Sequence, residues 1–191
     1  RWMIRRDVAE VLAISESTSE PLAEESLLVY LRQRNCIGMV VESVPEDGAH
    51  SWHDRIDGRA NVRTSIDAPV VAFAVYTLHT DHLRLVRLAV APDCRRKGVA
   101  SAMIRRLVSK LSSHRRTSLR IRAPRTKGEA AFLRERGFRK TKRGWSYDLG
   151  AWDAVAAARA DARMPDAPLG ILADYLEERE HSAAELVREL V

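Results

Sequence analysis

The residues of this chain whose types and order most plainly suit chemistry are Arg95-Arg96-Lys97-Gly98-Val99-Ala100. They follow an apolar run, Leu83 to Val90, through Ala91-Pro92, and continue through Ser101 into an amphipathic segment. A tight loop entering a helix carries backbone N–H groups with no intrahelical partner. The helix dipole adds partial positive charge there, so the loop favours a pair of phosphates. Gly98 has no Cβ and lets the main chain approach a ligand closely, while Ala100 keeps the next turn unobstructed. Arg95, Arg96 and Lys97 raise the local potential, and guanidinium groups suit bidentate phosphate contacts. The chemistry implied is capture of a diphosphate by main-chain amides.

An Arg-x-x-Gly-x-Ala window recurs by chance in arginine-rich chains, so its strand-loop-helix setting carries the weight. Other nucleotide loops fit poorly. There is one glycine where a dinucleotide fingerprint has three, and Lys97 precedes Gly98 instead of following a glycine before Ser/Thr. His50, His53 and Asp54 could ligate a metal, but no further ligand stands nearby at a useful spacing, so they read as solvated loop residues and no metal is expected. Cys94 lies beside cations that would favour its thiolate, although a single loop cysteine is more often incidental.

The elements that must position this loop can be traced from periodicity. Met3 to Arg5 reads as a short first strand, and Asp7 as the cap of a helix carrying Val8, Val11 and Leu12 on one face. A second helix runs from about Leu22 to Arg34, and Cys36 to Ser43 is a strand. Val44 to Ala68 is polar and turn-rich, an extended loop between strands. Val70 to His79 pairs with Leu83 to Val90 across Thr80-Asp81. Within the latter, Leu83 and Leu85 share one phase while Leu88 and Val90 share the other. An extra residue near Val86-Arg87 explains the slip: a β-bulge that bends the strand and opens a slot in the sheet.

Met103, Ile104, Leu107, Val108 and Leu111 form one stripe of a helix and read as core. A strand at Ser118 to Arg122 and a helix from about Thr126 to Arg136, ended by Gly137, follow. Phe138 to Lys142 and Trp145 to Leu149 form a hairpin around Arg143-Gly144. Beyond Gly150 the composition changes to an alanine-rich helix (Ala154 to Ala160), the linker Met164 to Pro168, a stripe of Leu169, Leu172, Tyr175 and Leu176, and a last helix with Ala184, Leu186, Val187 and Leu190. So few residues rarely fold alone, so this tail is expected to dock on the main domain or a partner.

Leu88 to Ser101, taken with Gly137-Phe138 after a later helix, resembles the GNAT superfamily of acetyl-CoA-dependent N-acetyltransferases, nearest to bacterial ribosomal-protein alanine N-acetyltransferases. Trp2 to Ile14 and Leu31 to Glu42 resemble the same subgroup, and the likeness spans roughly Trp2 to Leu149. It implies an α/β (α+β) fold: a mixed, mostly antiparallel sheet of about seven strands splayed between the fourth and fifth, with flanking helices. This gives a GNAT domain over 1–149 and a helical extension over 150–191. The pantetheine arm of acetyl-CoA would lie in the splay like a surrogate strand, with Leu88, Ala89, Val90, Arg95, Arg96, Lys97, Gly98, Val99, Ala100 and Ser101 binding the cofactor. Asp166 to Arg179, with Ala184 to Arg188 after it, resembles a short bacterial segment found beside leucine-rich repeats.

N-acetylation needs a neutral amine, stabilisation of a tetrahedral oxyanion, and a proton for the leaving thiolate. Backbone N–H groups freed by the bulge around Leu88 to Val90 suit the oxyanion. The subgroup's base glutamate, by resemblance, falls at Arg120, which cannot act as a base at neutral pH. Its acid tyrosine falls at Leu133, and its cofactor-contacting asparagine near Arg125, Thr126 or Lys127. Tyr147 stands where related sequences carry tyrosine and is the candidate proton donor to sulfur; the alternative is a core aromatic beside Trp145. Glu42 and Glu129 are conceivable bases. The expected activity is acetyl transfer to a primary amine, foremost a protein N-terminal α-amine, ribosomal or other. The three unmatched side chains motivate the alternative, a degenerate relative that binds acetyl-CoA or a partner without turnover.

Composition bounds the rest. The 191 residues suffice for one domain with an appendage, and no apolar run approaches the length that spans a bilayer. No signal-peptide pattern is read, so no membrane partner is expected. Cys36 and Cys94 are the two cysteines, which suits a reducing cytoplasm better than a disulfide framework. The net charge of +6 is partly explained by a polyanionic cofactor. Aromatics, at 6%, do not interleave with the basic runs, so no DNA partner is expected. RNA or ribosome contact through Arg115, Arg116, Arg139, Lys140, Lys142 and Arg143 is a weaker reading, and His114 to Arg116 alone suits a solvated helix end.

Overall fold

The computed structural model describes residues 1–43, 68–113, 116–142, 144–161, 167–178, 184–188 and 190–191. The loop expected from Val44, with His50, His53 and Asp54, lies outside the described residues up to position 67, as do Arg115 and Arg143.

Six strands form one sheet: β1 (Cys36–Glu42), β2 (Val70–Leu78), β3 (His82–Val90), β4 (Ser118–Ile121), β5 (Arg139–Thr141) and β6 (Gly144–Asp148), in the order β1-β2-β3-β4-β6-β5. Every pairing is antiparallel except β3 with β4. A parallel pair needs a crossover, which the helix α3 (Val99–Ser113) supplies. Strand β2, flanked by β1 and β3, explains the longest apolar run, since Val70 to Thr77 are buried on both faces.

Helices cover both faces. On one side α3 and α4 (Lys127–Glu135) bury Met103, Leu107 and Leu111 against Tyr76, Leu83 and Leu119. On the other, α1 (Val8–Glu16) and α2 (Glu24–Arg32) pack Val11, Ile14 and Leu27 against Val40, Phe73 and Ala89. Each such fully buried aliphatic contributes roughly 1.5–3 kcal/mol through removal from water. Thr126 caps α4 by accepting the Glu129 N–H at 3.1 Å, and Gly137 terminates it with φ +85°.

The N-terminal expectation is corrected. Met3 to Arg5 is not a strand: Trp2 makes an isolated bridge to Met39, and Arg5–Asp7 is a 3-10 turn. Asp7 does not cap α1. Its carboxylate accepts the Ile4 N–H at 2.7 Å and two hydrogen bonds from the Arg1 guanidinium at 2.7 Å, which turn the chain at Ile4 and cut the strand short. Among the described residues the sheet therefore has six strands rather than about seven.

The tail begins at once. Helix α5 (Leu149–Asp161) leaves β6 without a gap, earlier than the alanine run suggested, and Asp148 accepts the Ala151 N–H at 3.1 Å. With α6 (Leu169–Glu178) and α7 (Ala184–Arg188) it builds a cluster of Val155, Leu172, Leu176, Val187 and Leu190. Trp152 seats the tail on the body: its indole N–H donates to the Gly137 carbonyl at 3.0 Å, and Arg139 reaches from β5 to the Leu190 carbonyl.

Candidate active site

The bulge in β3 sets the geometry of the site. Val75 pairs with Arg87 and Tyr76 with Leu85, so Val86 is the extra residue. The phase slip is thereby absorbed, and Leu83, Leu85, Leu88 and Val90 all meet the α3 side, whereas Val86 and Ala89 meet the α1 side. The parallel ladder with β4 runs from His82–Ser118 to Leu85–Ile121 and stops there. From Val86 to Val90, the side of β3 toward β4 therefore has no strand paired to it. A slot opens in the middle of the sheet, beginning where the bulge lies.

At the far end of that slot the chain turns through a 3-10 turn, Pro92–Cys94, into the loop before α3. Arg96 and Gly98 both have positive φ, +62° and +84°. Alternation of left-handed residues with ordinary ones points successive N–H groups to one side, an anion-binding arrangement. The first helical bond is donated by Ala102 to the Gly98 carbonyl at 3.0 Å, so the amides of Val99, Ala100 and Ser101 stand ahead of the ladder. A Cβ at Gly98 would meet nothing within 4 Å, so the space over this turn is open. Arg95 turns back: it donates to the Val90 carbonyl at 3.1 Å and to Ser17, at its carbonyl (3.0 Å) and its hydroxyl (2.7 Å).

Slot and loop share a cleft of about 420 Å³, floored by Leu85 to Val90 and walled by Ala100, Ile104, Phe132 and Leu133. Over its other side lies the segment between α1 and α2, Ser17 to Glu20. Arg95 holds that segment at Ser17, and three further arginines hold it at Glu20. Arg87 donates to Glu20 at 2.5 Å, Arg125 at 2.6 Å, and Arg122 also bonds to it. Hydrogen bonds from Arg122, foremost, and Arg87 hold the Glu20 carboxyl far below the usual carboxylate range.

A sequence model of the acetyltransferase (GNAT) family matches residues 15–138, a span that includes the bulge, the slot, the loop and Gly137-Phe138. The chain belongs to that family. Structural neighbours of this GNAT acetyltransferase share the fold at low identity. The ribosomal-protein-S18-alanine N-acetyltransferase of Escherichia coli is 17% identical, with a TM-score of 0.56 over 78% of this chain and 92% of the other. Ard1 from Thermoplasma volcanium is 18% identical, with a TM-score of 0.55 over 77% and 91%. The aminoglycoside 6'-N-acetyltransferase AAC(6')-Ig of Acinetobacter haemolyticus is 16% identical, with a TM-score of 0.53 over 74% and 91%. No curated protein matches the sequence.

As an acetyl-CoA-dependent N-acetyltransferase of this fold, the chain places its side chains unevenly. Leu88, Ala89, Val90, Arg95 and Ala100 line one cleft, with the turn Arg96 to Gly98 at its end, whereas Ser101 lines a neighbouring recess. Tyr147 does not join them. Its position on β6 opposite Leu119 turns the ring against Phe138 and Trp152, at centroid separations of 5.8 and 6.2 Å. There it lines a neighbouring recess with Ser101, Arg105 and Val108, and burial raises its phenol pKa. Arg120 also lies outside the cleft, paired with Asp81 at 3.1 Å, and it is Arg122, two residues on, that lines it. Leu133 is a buried wall. Glu42 is bound to Arg1 on the far edge of the sheet. Glu129 lines the cleft, but its carboxylate accepts the Arg125 N–H at 2.8 Å in a capping arrangement with Thr126.

Sequence reasoning missed Ser17, Glu20 and Arg87. The polar run Ser17-Thr18-Ser19-Glu20-Pro21 between two amphipathic helices was the available signal. Among the described residues no group of three or more His, Cys, Asp or Glu is placed to hold a metal. No described helix is long and apolar enough to cross a membrane. Of the basic residues considered for RNA, Arg116 donates to the His79 carbonyl at 2.7 Å and Arg139 to the tail, so both serve packing.

Proposed function

We propose that this enzyme acetylates a weakly basic primary amine, foremost the α-amine of a protein N-terminus. The diphosphate of acetyl-CoA would rest on the amides from Arg96 to Ser101, with its arm along Val86 to Val90 and its thioester at the bulge. One observation carries the choice of acceptor: among the described residues, neither carboxylate lining the cleft is free to act as a base. Glu20 is locked by three arginines and Glu129 serves a cap. The acceptor must then arrive neutral. At pH 7 about one α-amine in seven is neutral, against roughly one lysine in 2,500.

The amine lone pair attacks the thioester carbonyl and the oxyanion takes hydrogen bonds from unpaired amides of β3. On collapse the thiolate departs, and the ammonium proton passes to sulfur or to water. Orientation in the slot supplies much of the rate. Tyr147, outside the cleft, is read as a packing aromatic. The same reading divides the chain into a catalytic domain, 1–149, and an appendage, 150–191, working in the cytoplasm, which suits the two unpaired cysteines.

The test is the pH dependence of kcat/KM for peptide acceptors whose α-amine pKa values differ. The rising limb should shift with the acceptor's own pKa. A limb fixed at one pH for every acceptor would show an enzyme base and refute the proposal. Binding of acetyl-CoA without CoA release, whatever the amine, would leave a cofactor-binding module.

A further inference from the structure

Arg87, Arg122 and Arg125 come from three places, β3, the end of β4 and the loop before α4, yet they converge on one carboxylate. Arg87 and Arg122 lie just past the last β3–β4 pair, Leu85–Ile121, and so flank the point where the slot opens. The diphosphate loop is at the opposite end. Under the proposed reading the thioester, and therefore the incoming amine, lies beside this cluster rather than beside Gly98.

Charge does not balance there. Three guanidiniums face two carboxylates, Glu20 and Glu129, and Oε2 of Glu129 already accepts the Arg125 main-chain N–H. Each guanidinium has five N–H donors, and the hydrogen bonds to Glu20 use one from each. Arg122 and Arg125 are partly exposed, with side-chain exposures of 42% and 47%, whereas Arg87 is at 19%. The cluster therefore presents donors and surplus positive charge at the mouth of the acceptor end. Glu20 sits on the segment between two helices, where Ser17 is held by Arg95 and the Thr18 hydroxyl donates to the Ser15 and Glu20 carbonyls.

We infer that this enzyme selects acceptors carrying a carboxylate next to the reacting amine. Arg122 and Arg125 receive that carboxylate on the N–H donors that Glu20 leaves unused, while Glu20 stays in place as an internal carboxylate that opposes the acceptor's own. The inference rests on the acetyl-transfer reading and adds to it the class of acceptor. The carboxylate can belong to an acidic residue near a peptide N-terminus or to a free amino acid, and the two present the same group to the same arginines.

The experiment measures CoA release at saturating acetyl-CoA with matched peptides beginning Ala-Asp, Ala-Asn and Ala-Lys, and with alanine beside alaninamide. The Ala-Asp peptide should exceed Ala-Asn by about tenfold or more in kcat/KM, mostly through KM, the scale of one charged hydrogen bond. A matching preference for alanine over alaninamide would identify the free amino acid as the source; its absence would identify the peptide. In the double variant Arg122→Gln/Arg125→Gln the Asp-to-Asn ratio should fall to within about twofold. Calorimetric affinity for acetyl-CoA should stay unchanged, showing that the fold and the other end of the cleft are intact. Glu20→Gln should lower KM for Ala-Asp severalfold and leave Ala-Asn nearly untouched.

Equal or greater turnover of Ala-Asn or Ala-Lys would overturn the inference while leaving acetyl transfer to amines standing. A preference that survives the double variant would overturn the assignment of these arginines. Binding of acetyl-CoA with no CoA release from any acceptor would overturn both this inference and the reading on which it rests.

Discussion

The two ends of the cleft are built from different materials. Along the slot and at its diphosphate end the working parts are main chain: a bulge at Val86 where the slot opens, an unpaired strand side leading away from it, and, at the far end, left-handed turns at Arg96 and Gly98 with the first amides of α3. At the acceptor end they are side chains, with arginines around Glu20 and leucine at position 133. A backbone device needs only small residues at a few positions and tolerates drift elsewhere, which explains how low identity coexists with a shared fold. A side-chain device changes with each substitution, so it is where an individual enzyme acquires its acceptor.

The sharpest way to break the contrast is at Gly98. Gly98→Val puts a β-branched residue at φ +84°, where a side chain is strained, although the space around it is open. Acetyl-CoA affinity should drop about a hundredfold by calorimetry while the melting temperature moves little; an unchanged affinity would mean that the amides of this loop do not hold the cofactor. Gly137→Ala tests the scaffold beneath both ends. Its Cβ would come within 3.0 Å of the Trp152 indole at φ +85°, so the cost should be about 1–3 kcal/mol in denaturant unfolding. A neutral result would show that the tail is not seated there.

The smallest effect should come from Asp7, away from the cleft. Hydrogen bonding from Arg1, with a further bond from the Ile4 N–H, lowers its carboxyl pKa despite the opposing effect of burial. The folded state thus binds this proton less readily than the unfolded chain. The stabilisation is present above about pH 4 and is lost as pH falls through the depressed folded value. Asp7→Asn should cost roughly 1–2 kcal/mol at pH 7, and the gap to wild type should close as pH falls through the depressed folded value. A gap that persists in acid would assign the loss to packing instead.

Much of the main-chain part of the cleft was legible in the sequence because it follows from local rules. A broken period of two announces the extra residue at Val86, and one glycine between an apolar strand and an amphipathic helix announces the turn. Thr126 and Gly137 announce the limits of α4 in the same way. The acceptor end was not legible, because Glu20 meets its arginines across 67, 102 and 105 residues of chain. Asp7 misled for a related reason: a local capping rule lost to a guanidinium that the isolated bridge at Trp2 brings alongside. Tyr147 could be placed on its strand, but the side it faces is fixed by the register with β4 and by the immediate start of α5.

The bare flank of β3 has a further consequence for how the protein behaves in solution. An unsatisfied strand side invites pairing with whatever extended chain is at hand, and here it lies in the interior of a sheet rather than at its rim. A bound pantetheine, with its own amides, would occupy that flank and exclude such partners. It would also add about 2.7 kcal/mol of mass-action stabilisation at a hundred times its dissociation constant. Shelf life and resistance to clumping should accordingly track the supply of coenzyme A, whether or not any acceptor is present.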